Sequence, residues 1–206
     1  MIEINRASVY NFENAVRGAR NPLNSWDRMD SVSTPDGQFV FGEQDLTLCK
    51  KLCRAGSDHR KFMRQILVSV DIAAPLYWWK EFDTYKVATT ANSTSTMHKI
   101  HSAPFTRADF SHDHLSEAGL ASLDGIIAFL EAERLAFVET KDKAHWWNMI
   151  QLLPSSYRQL RTCTMSYETL LSMYHARKGH KLSEWQVFCA FLLSLPYARE
   201  LFLVED

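Results

Sequence analysis

The spacing of apolar and polar residues predicts three strands in this chain. Between residues 64 and 74, Ile66, Val68 and Val70 alternate with more polar neighbours. This period of two places one set of side chains on a buried face of a sheet. Similar patterns predict the other two strands at residues 2–10 and 157–165.

Apolar residues spaced three and four apart predict the helices. The longest predicted helix covers residues 116–140, where six residues form an apolar stripe: Leu120, Leu123, Ile126, Ile127, Leu130 and Leu135. Asn11 and Ser166 are of the type that caps a helix N-terminus, and Pro75 suits a first helical turn. The remaining helices are predicted at residues 11–20, 43–55, 76–85, 143–153, 166–177 and 182–195.

Three polar stretches are predicted to be loops. Residues 21–42 are rich in Asn, Pro, Ser, Asp and Gly, with a turn signal at 35–37, and a loop of that length is often functional. Residues 101–114 are polar and turn-like. The tract from Thr89 to Thr96 consists almost wholly of Thr, Ser, Ala and Asn, and directly follows an aromatic segment. A strand, a helix and a polar loop in succession are typical of a pocket wall.

Composition refines this outline without naming a function. At 206 residues, the chain is expected to form a single α+β domain, 1–206, that is dominated by helices around a small sheet. The formal net charge of −1 gives no general signal for binding nucleic acid. No apolar run is long enough to cross a membrane.

The four cysteines do not form a disulfide framework in a chain of this size. Cys49 and Cys53 lie four apart, hence on one face of a predicted helix. They are either a metal or redox pair or two buried apolar thiols. This cysteine usage predicts a reducing, cytoplasmic location.

Four of the eight histidines, His98, His101, His112 and His114, lie within 17 positions. Together they could hold a transition metal, but their spacing matches no zinc motif. An exposed, histidine-rich loop is the plainer interpretation, and we expect no metal site.

Sequence motifs for phosphate loops, dinucleotide-binding loops and serine nucleophile elbows are absent. Aromatic residues at helical spacing, Trp78, Phe82 and Tyr85, could stack on a flavin or base, or pack in the core. Tyr85 borders the polar tract and is the most favourable for ligand contact. Arg158 and Arg161 near the last strand are either phosphate ligands or solvated surface charges.

Two segments, roughly 58–98 and 148–188, resemble the flavin-dependent thymidylate synthases. The family has an apolar strand, an Ala-Pro-aliphatic-aromatic step and the signature R-H-R-x-x-S-x-N-E-x-S-x-R. Residues 74–77 resemble the step, and the signature then falls on 84–96. Thr84, Tyr85 and Lys86 take the places of its Arg-His-Arg.

The rest of the signature keeps side-chain size but loses most of its charge. Thr89 and Thr94 match the serines, Asn92 matches the asparagine after a slip of one residue, and Thr96 replaces the last arginine. In the second segment Ile150 stands where the family has another arginine.

The resemblance implies a small, mostly antiparallel sheet flanked by long helices, and a homotetramer with active sites between subunits. It implies FAD as cofactor, with NADPH and methylene-tetrahydrofolate if the family reaction, methylation of dUMP, is retained. Cofactor contacts would come from Asp58, Tyr85, Lys86, Ser166 and His180. Substrate contacts would come from Lys86, Thr89, Asn92, Thr94, Ser95 and Arg177.

Two other functions remain open. The neutral tract contains little general acid or base, which is typical of a non-catalytic oligomeric binding or scaffold protein with a remodelled pocket. A metal hydrolase built on the histidine cluster is the other.

Overall fold

The computed structural model describes residues 1–204 and shows a mixed helical and sheet protein. Four strands form one sheet in the order β1-β4-β6-β5, and β2 pairs with β3 in a separate two-stranded sheet. The strands are β1 Glu3–Tyr10, β2 Val32–Ser33, β3 Phe39–Val40, β4 Leu67–Pro75, β5 Thr89–Ser93 and β6 Arg158–Ser166. The helices are α1 Phe12–Ala19, α2 Glu43–Arg54, α3 Leu76–Phe82, α4 Thr96–Lys99, α5 Glu117–Thr140, α6 Lys143–Gln151, α7 Tyr167–Arg177, α8 Ser183–Ser194 and α9 Ala198–Phe202.

Side-chain pairing shows that β4 and β6 run antiparallel. The hydroxyls of Ser69 and Thr164 lie 2.7 Å apart, and Thr162 donates to Asp71 at 2.6 Å. From the first pair to the second, the residue number on β4 rises by two while that on β6 falls by two, as expected for antiparallel strands. The predicted fold class, a small and mostly antiparallel sheet flanked by long helices, is confirmed.

The inward face of β4 is apolar, as its alternation predicts. Val68 is fully buried and Val70 is 1% exposed, and Ile66, which directly precedes β4, is also fully buried. Pro75 is the last residue of β4, still in an extended conformation, and directly precedes α3. Trp78 and Phe82 on α3 are also buried, at 0% and 1% exposure. Both rings therefore pack in the core, and the structure supports this interpretation over stacking on a flavin or base.

Helix caps explain several element boundaries. The hydroxyl of Ser166 accepts a hydrogen bond from the backbone N–H of Thr169 and begins α7, as predicted. Asn11 occupies the predicted cap position of α1, but it adopts a left-handed conformation with no side-chain cap bond. Its amide donates instead to the carbonyl of Gln65 at 3.0 Å.

Two of the predicted loops contain regular structure. The 21–42 segment includes the β2–β3 hairpin, whose turn uses Gly37 at a φ of 82°. The Thr89–Thr96 tract is β5 for most of its length, so the prediction of a loop there is wrong. Strand β5 pairs with β6 in the sheet. Directly after β5, the backbone N–H of Thr94 donates to the carbonyl of Leu160 on β6 at 2.9 Å, so the pairing continues past the end of the strand.

The chain divides into two compact units, which we call unit 1 and unit 2. Unit 1 comprises residues 1–3, 71–84 and 91–162, and unit 2 comprises, among the described residues, 4–70, 85–90 and 163–204. Within unit 1, α5 and α6 enclose an apolar core that includes Leu123, Leu130 and Met149. Within the described residues no helix is long and apolar enough to span a membrane.

Candidate functional site

Unit 2 contains seven of the ten predicted site residues, and the best-defined contact among them joins Arg177 to Tyr85. Arg177 lies at the C-terminal end of α7 and donates from Nε to the Tyr85 hydroxyl at 2.9 Å. Its guanidinium carbon lies 5.6 Å from the centre of the Tyr85 ring and 4.8 Å from that of Trp185. The two rings hold the cation through their electron-rich faces.

His180 belongs to the same neighbourhood. Its ring centre lies 6.3 Å from that of Trp185, and its Nδ1 accepts a hydrogen bond from the backbone N–H of Leu182 at 3.2 Å. With Nδ1 occupied as an acceptor, the neutral ring carries its proton on Nε2. The imidazole is therefore oriented by the chain itself.

Lys86 and Thr89 flank a strained turn just before β5. Ala88 has a φ of 53°, a left-handed conformation that is unfavourable for a residue with a Cβ. Such strain is concentrated at functional sites. Lys86 is exposed, whereas the Thr89 hydroxyl is buried and has no hydrogen-bond partner among the described residues. An unsatisfied buried hydroxyl is costly unless a ligand or partner completes it.

Ser166 supports this turn from within the fold. Its hydroxyl lies 3.0 Å from the Thr169 hydroxyl, which donates to the carbonyl of Val87 at 2.9 Å. Ser166 is fully buried and Thr169 is half-buried. The pair therefore anchors the turn that carries Lys86, and the Ser166 hydroxyl already serves as a helix cap.

Asp58, the seventh of these residues, is exposed in the turn that follows α2. The neighbouring basic residue, Arg60, pairs with Glu168 at 2.8 Å. The structure thus joins Tyr85 with Arg177 directly, brings His180 to the same tryptophan, and leaves Asp58 on the surface.

The other three predicted residues belong to unit 1. Asn92 is exposed on β5. The hydroxyl of Ser95 accepts from the backbone N–H of His98 at 3.0 Å and caps α4. Thr94 exchanges hydrogen bonds with β6, since its carbonyl accepts from the Gln159 amide at 2.7 Å.

The two arginines of β6 are engaged by carboxylates within unit 1. Arg161 pairs with Asp83 at 2.7 Å and lies 4.2 Å above the Trp79 ring, and Arg158 pairs with Glu3 at 2.7 Å. Each would have to give up or share its carboxylate to bind a phosphate, so neither simply replaces the arginines that the signature has lost.

The histidine cluster shows no metal-binding geometry. Among residues 1–204, no three His, Cys, Asp or Glu side chains come together in an arrangement that could hold a metal ion. His101 packs its ring edgewise against Phe137 at 4.9 Å, and His112 pairs through Nδ1 with the carbonyl of Phe110 at 2.8 Å.

A cavity of about 930 Å³ in unit 2 is lined by none of the ten predicted residues. Phe12, Phe39 and Tyr197 contribute aromatic walls, and its only charged lining residues are Glu13 and Glu200. Two carboxylates repel a nucleotide phosphate. The cavity therefore does not compete with the Tyr85–Arg177 region as a nucleotide site.

Trp185 and Thr169 are the residues that sequence reasoning missed. Both act through contacts with residues far along the chain, to Tyr85 and Val87 respectively. Neither lies in a motif. The one available signal was the placement of Trp185 close after Arg177, on the next predicted helix.

Solved structures share this architecture over nearly the whole chain. Thymidylate synthase X from Helicobacter pylori with FAD and dUMP superposes with a TM-score of 0.69 at 15% identity, covering 98% of this chain and 97% of that one. The fold is that of the flavin-dependent thymidylate synthases. A second structure of the Helicobacter pylori enzyme, also complexed with FAD and dUMP, gives 0.69 at 16% identity, with 97% of each chain covered.

A related methylase has the same fold. The UMP/dUMP methylase PolB from Streptomyces cacaoi, bound with 5-Br dUMP, has a TM-score of 0.67 at 12% identity, covering 98% of this chain and 94% of that one. No protein-family model and no curated protein sequence matches the chain. At these identities the likeness establishes the fold, while activity has to be argued from the site.

Proposed function

We propose that this protein binds FAD and a pyrimidine deoxynucleotide of the dUMP type, as a divergent flavin-dependent thymidylate synthase-like protein. The observation that carries the proposal is the pairing of Arg177 with Tyr85 in a fold whose solved examples bind FAD and dUMP. The Streptomyces methylase extends the same argument to one-carbon chemistry on uridylates.

The residues in unit 2 fit a nucleotide in chemical type. Lys86 and Arg177 supply cations for phosphate, and Tyr85 offers an aromatic face for a flavin or base ring. The buried Thr89 hydroxyl lacks a partner, as expected of a group that a ligand completes. His180 and Asp58 are the further proposed cofactor contacts, and Ser166 would act by holding the turn.

In unit 1, we propose that Asn92, Thr94 and Ser95 contribute to substrate binding. The Asn92 side chain is exposed and can read the hydrogen-bonding edge of a uracil. Thr94 and Ser95 already make intrachain bonds, so their contribution would be to hold the backbone of this segment.

Charge is the main departure from the family pattern. Each charged hydrogen bond to a phosphate contributes about 1.5–3 kcal/mol. Replacement of three arginines by Thr84, Thr96 and Ile150 therefore lowers the expected phosphate affinity by several powers of ten. A ligand held mainly by its base, sugar and ring stacking is consistent with this loss.

If the reaction of the family is retained, its product is a methylated or hydroxymethylated deoxyuridylate. Methylene-tetrahydrofolate would supply the carbon, and NADPH would supply electrons through the flavin. The chain would bind, orient and desolvate the reactants, since the family reaction needs no nucleophilic side chain. We also propose a homotetramer in the cytoplasm, as the resemblance and the cysteine usage suggest.

A second candidate, a non-catalytic oligomeric binding protein, is favoured by one observation. The aromatic residues Trp78, Trp79 and Phe82 are buried in the core rather than presented to a ligand. This leaves Tyr85 and Trp185 as the aromatic residues next to the candidate cation.

Flavin binding tests the proposal directly. The purified protein should show the yellow absorbance of a flavin, or gain thermal stability when FAD is added, because a ligand that binds only the folded state stabilises it. Riboflavin serves as a control for the isoalloxazine ring without the phosphates. A colourless protein with an unchanged melting temperature at millimolar FAD contradicts the flavin part.

A further inference from the structure

The cavity of unit 2 that no predicted site residue lines has the size and composition of a ligand site. Its volume of about 930 Å³ falls within the range of small-molecule pockets. Three rings on its wall, Phe39, Phe191 and Tyr197, are half-buried, so part of each ring is open to the cavity. The proposed binding of FAD and nucleotide uses none of these residues and leaves the cavity unexplained.

Contacts within unit 2 hold the aromatic wall in place. Phe12 stacks on Phe39 with ring centres 5.4 Å apart, and it meets the Tyr197 ring edge to face at 5.8 Å. The Tyr197 hydroxyl donates to the carbonyl of Phe39 at 3.3 Å and accepts from the backbone N–H of Phe41 at 3.2 Å. The rings are therefore ordered before any ligand arrives, which lowers the entropic cost of binding.

Two residues with left-handed backbone conformations line the same cavity. Tyr197 has a φ of 56° and Asn11 a φ of 74°. Asparagine tolerates this conformation, whereas it is unfavourable for a bulky residue such as tyrosine. Backbone strain of this kind is concentrated at ligand-binding and active sites. Tyr197 is thus held in a costly conformation at the point where its ring joins the wall.

All the charge on the cavity wall is negative. Glu13 and Glu200 are both exposed, and no lysine or arginine lines the cavity within residues 1–204. The Ser33 hydroxyl donates to Oε2 of Glu13 at 2.6 Å and orients this carboxylate. The face of an aromatic ring also carries partial negative charge, so the rings and the carboxylates attract the same class of ligand. That class is an organic cation.

We propose that this cavity binds an organic cation of the alkylammonium class, whose nitrogen carries apolar substituents. The rings contact the apolar groups around the nitrogen, and Glu13 and Glu200 supply the balancing charge. A metal ion does not fit the same wall, because such ions require several converging ligands, and no three acidic, histidine or cysteine side chains of the described residues converge in that way. The site is separate from the proposed FAD and nucleotide contacts and goes beyond them.

Choline and its neutral carbon isostere, 3,3-dimethylbutan-1-ol, test the proposal as a matched pair, because they differ mainly in charge. Isothermal titration of the purified protein at constant ionic strength should show saturable binding of choline at millimolar or lower concentration. The affinity for choline should exceed that for the isostere by about 10-fold or more. Equal affinity for the two compounds, or no binding of choline, overturns the proposal.

Two variants test whether choline binds in this cavity. Phe39→Leu keeps an apolar side chain but removes the ring face, and Glu200→Gln removes a charge at nearly the same shape. Each should weaken choline binding by about 3-fold or more and change binding of the isostere far less. Glu139→Gln, at an exposed position on α5 in unit 1, is the matched control and should leave the affinity unchanged.

An unchanged choline affinity in both Phe39→Leu and Glu200→Gln overturns the assignment to this cavity. Circular dichroism shows whether each variant is folded, and the more conservative Glu200→Gln decides if Phe39→Leu is not. Saturating dUMP should leave the choline affinity unchanged, whereas competition would place choline on the Tyr85 and Trp185 rings and overturn the separate site. Choline is also titrated without FAD or dUMP, so a protein that binds choline but no FAD contradicts only the proposed function.

Discussion

The Nε of Arg177 lies 2.9 Å from the hydroxyl oxygen of Tyr85, to which it donates a hydrogen bond. In the resemblance to the flavin-dependent thymidylate synthases, Tyr85 takes the place of the signature histidine, and Arg177 is a proposed substrate contact. The contact joins two residues 92 positions apart, and it orients the guanidinium of Arg177.

Loss of the Arg177 cation should weaken nucleotide binding. Arg177→Gln should raise the dissociation constant for dUMP by about 10- to 150-fold, because a charged hydrogen bond contributes about 1.5–3 kcal/mol. Tyr85→Phe keeps the cation and the ring, so its loss should be smaller. Isothermal titration measures both, and Arg199→Gln on the exposed side of α9 is the control. Equal affinities for wild type and Arg177→Gln would remove Arg177 from the site.

The fold was predictable wherever the chain carries a strong period. The helices α2, α5, α7 and α8 lie within one residue of their predicted bounds, and β4 begins three residues later and ends one residue later than predicted. The β5 strand was missed because its side chains are small and polar, and its conformation comes from pairing with β6. The β2–β3 hairpin was missed for a similar reason, since each strand has only two residues.

The candidate site was less predictable than the fold. The resemblance indicated Tyr85 and Arg177, and the structure brings these two side chains into contact. Trp185 packs against both from α8, and such a contact leaves no local pattern in the sequence. The pairing of Arg161 with Asp83 also crosses 78 positions, so the sequence alone could not say whether this cation was free.

A buried ion pair in unit 2 should dominate the stability of the α1–α2 region. Arg20 donates from Nε to Asp45 at 2.5 Å, with 4% and 0% side-chain exposure, and the other oxygen of Asp45 accepts from the backbone N–H groups of Asp30 and Ser31. Removing one partner leaves a buried charge, so Asp45→Asn should cost about 3–5 kcal/mol of unfolding free energy. Urea denaturation measures the loss. Arg107→Gln, which breaks an exposed pair, should change the midpoint far less, and an equal effect of the two would contradict this view.

Asp30 makes stability depend on acid pH. The backbone N–H of Gln44 donates to its carboxylate and, with that of Asp45, holds the pKa of Asp30 below its ordinary value. A carboxyl whose pKa is lowered by folding stabilises the fold at pH values above its pKa in the unfolded chain, which is near 4. This contribution is lost as the pH falls through the pKa of the carboxyl in the folded protein. The stability difference between wild type and Asp30→Asn should therefore be largest above about pH 5 and shrink below pH 4. A difference that stays constant from pH 3 to 7 would contradict it.

The cysteines should be inert in the folded protein. Burial raises the pKa of the Cys53 thiol to about 12 and also raises that of Cys49, and all four cysteines are buried without disulfides. The thiolate is the reactive form, so a disulfide reagent should label none of them quickly in the native state and all four after unfolding. Rapid labelling of Cys49 and Cys53 under native conditions would instead favour a redox or metal role for that pair.

Titration of the protein with dUMP, with deoxyuridine titrated in parallel and FAD present, tests whether a nucleotide binds at the Tyr85–Arg177 site. We expect saturable binding of one dUMP per chain, with an advantage over deoxyuridine of about 10²- to 10⁴-fold, because Lys86 and Arg177 are the two cations assigned to the phosphate and each contributes about 1.5–3 kcal/mol. Folded protein that gives no binding signal at millimolar dUMP, with and without FAD, would contradict it.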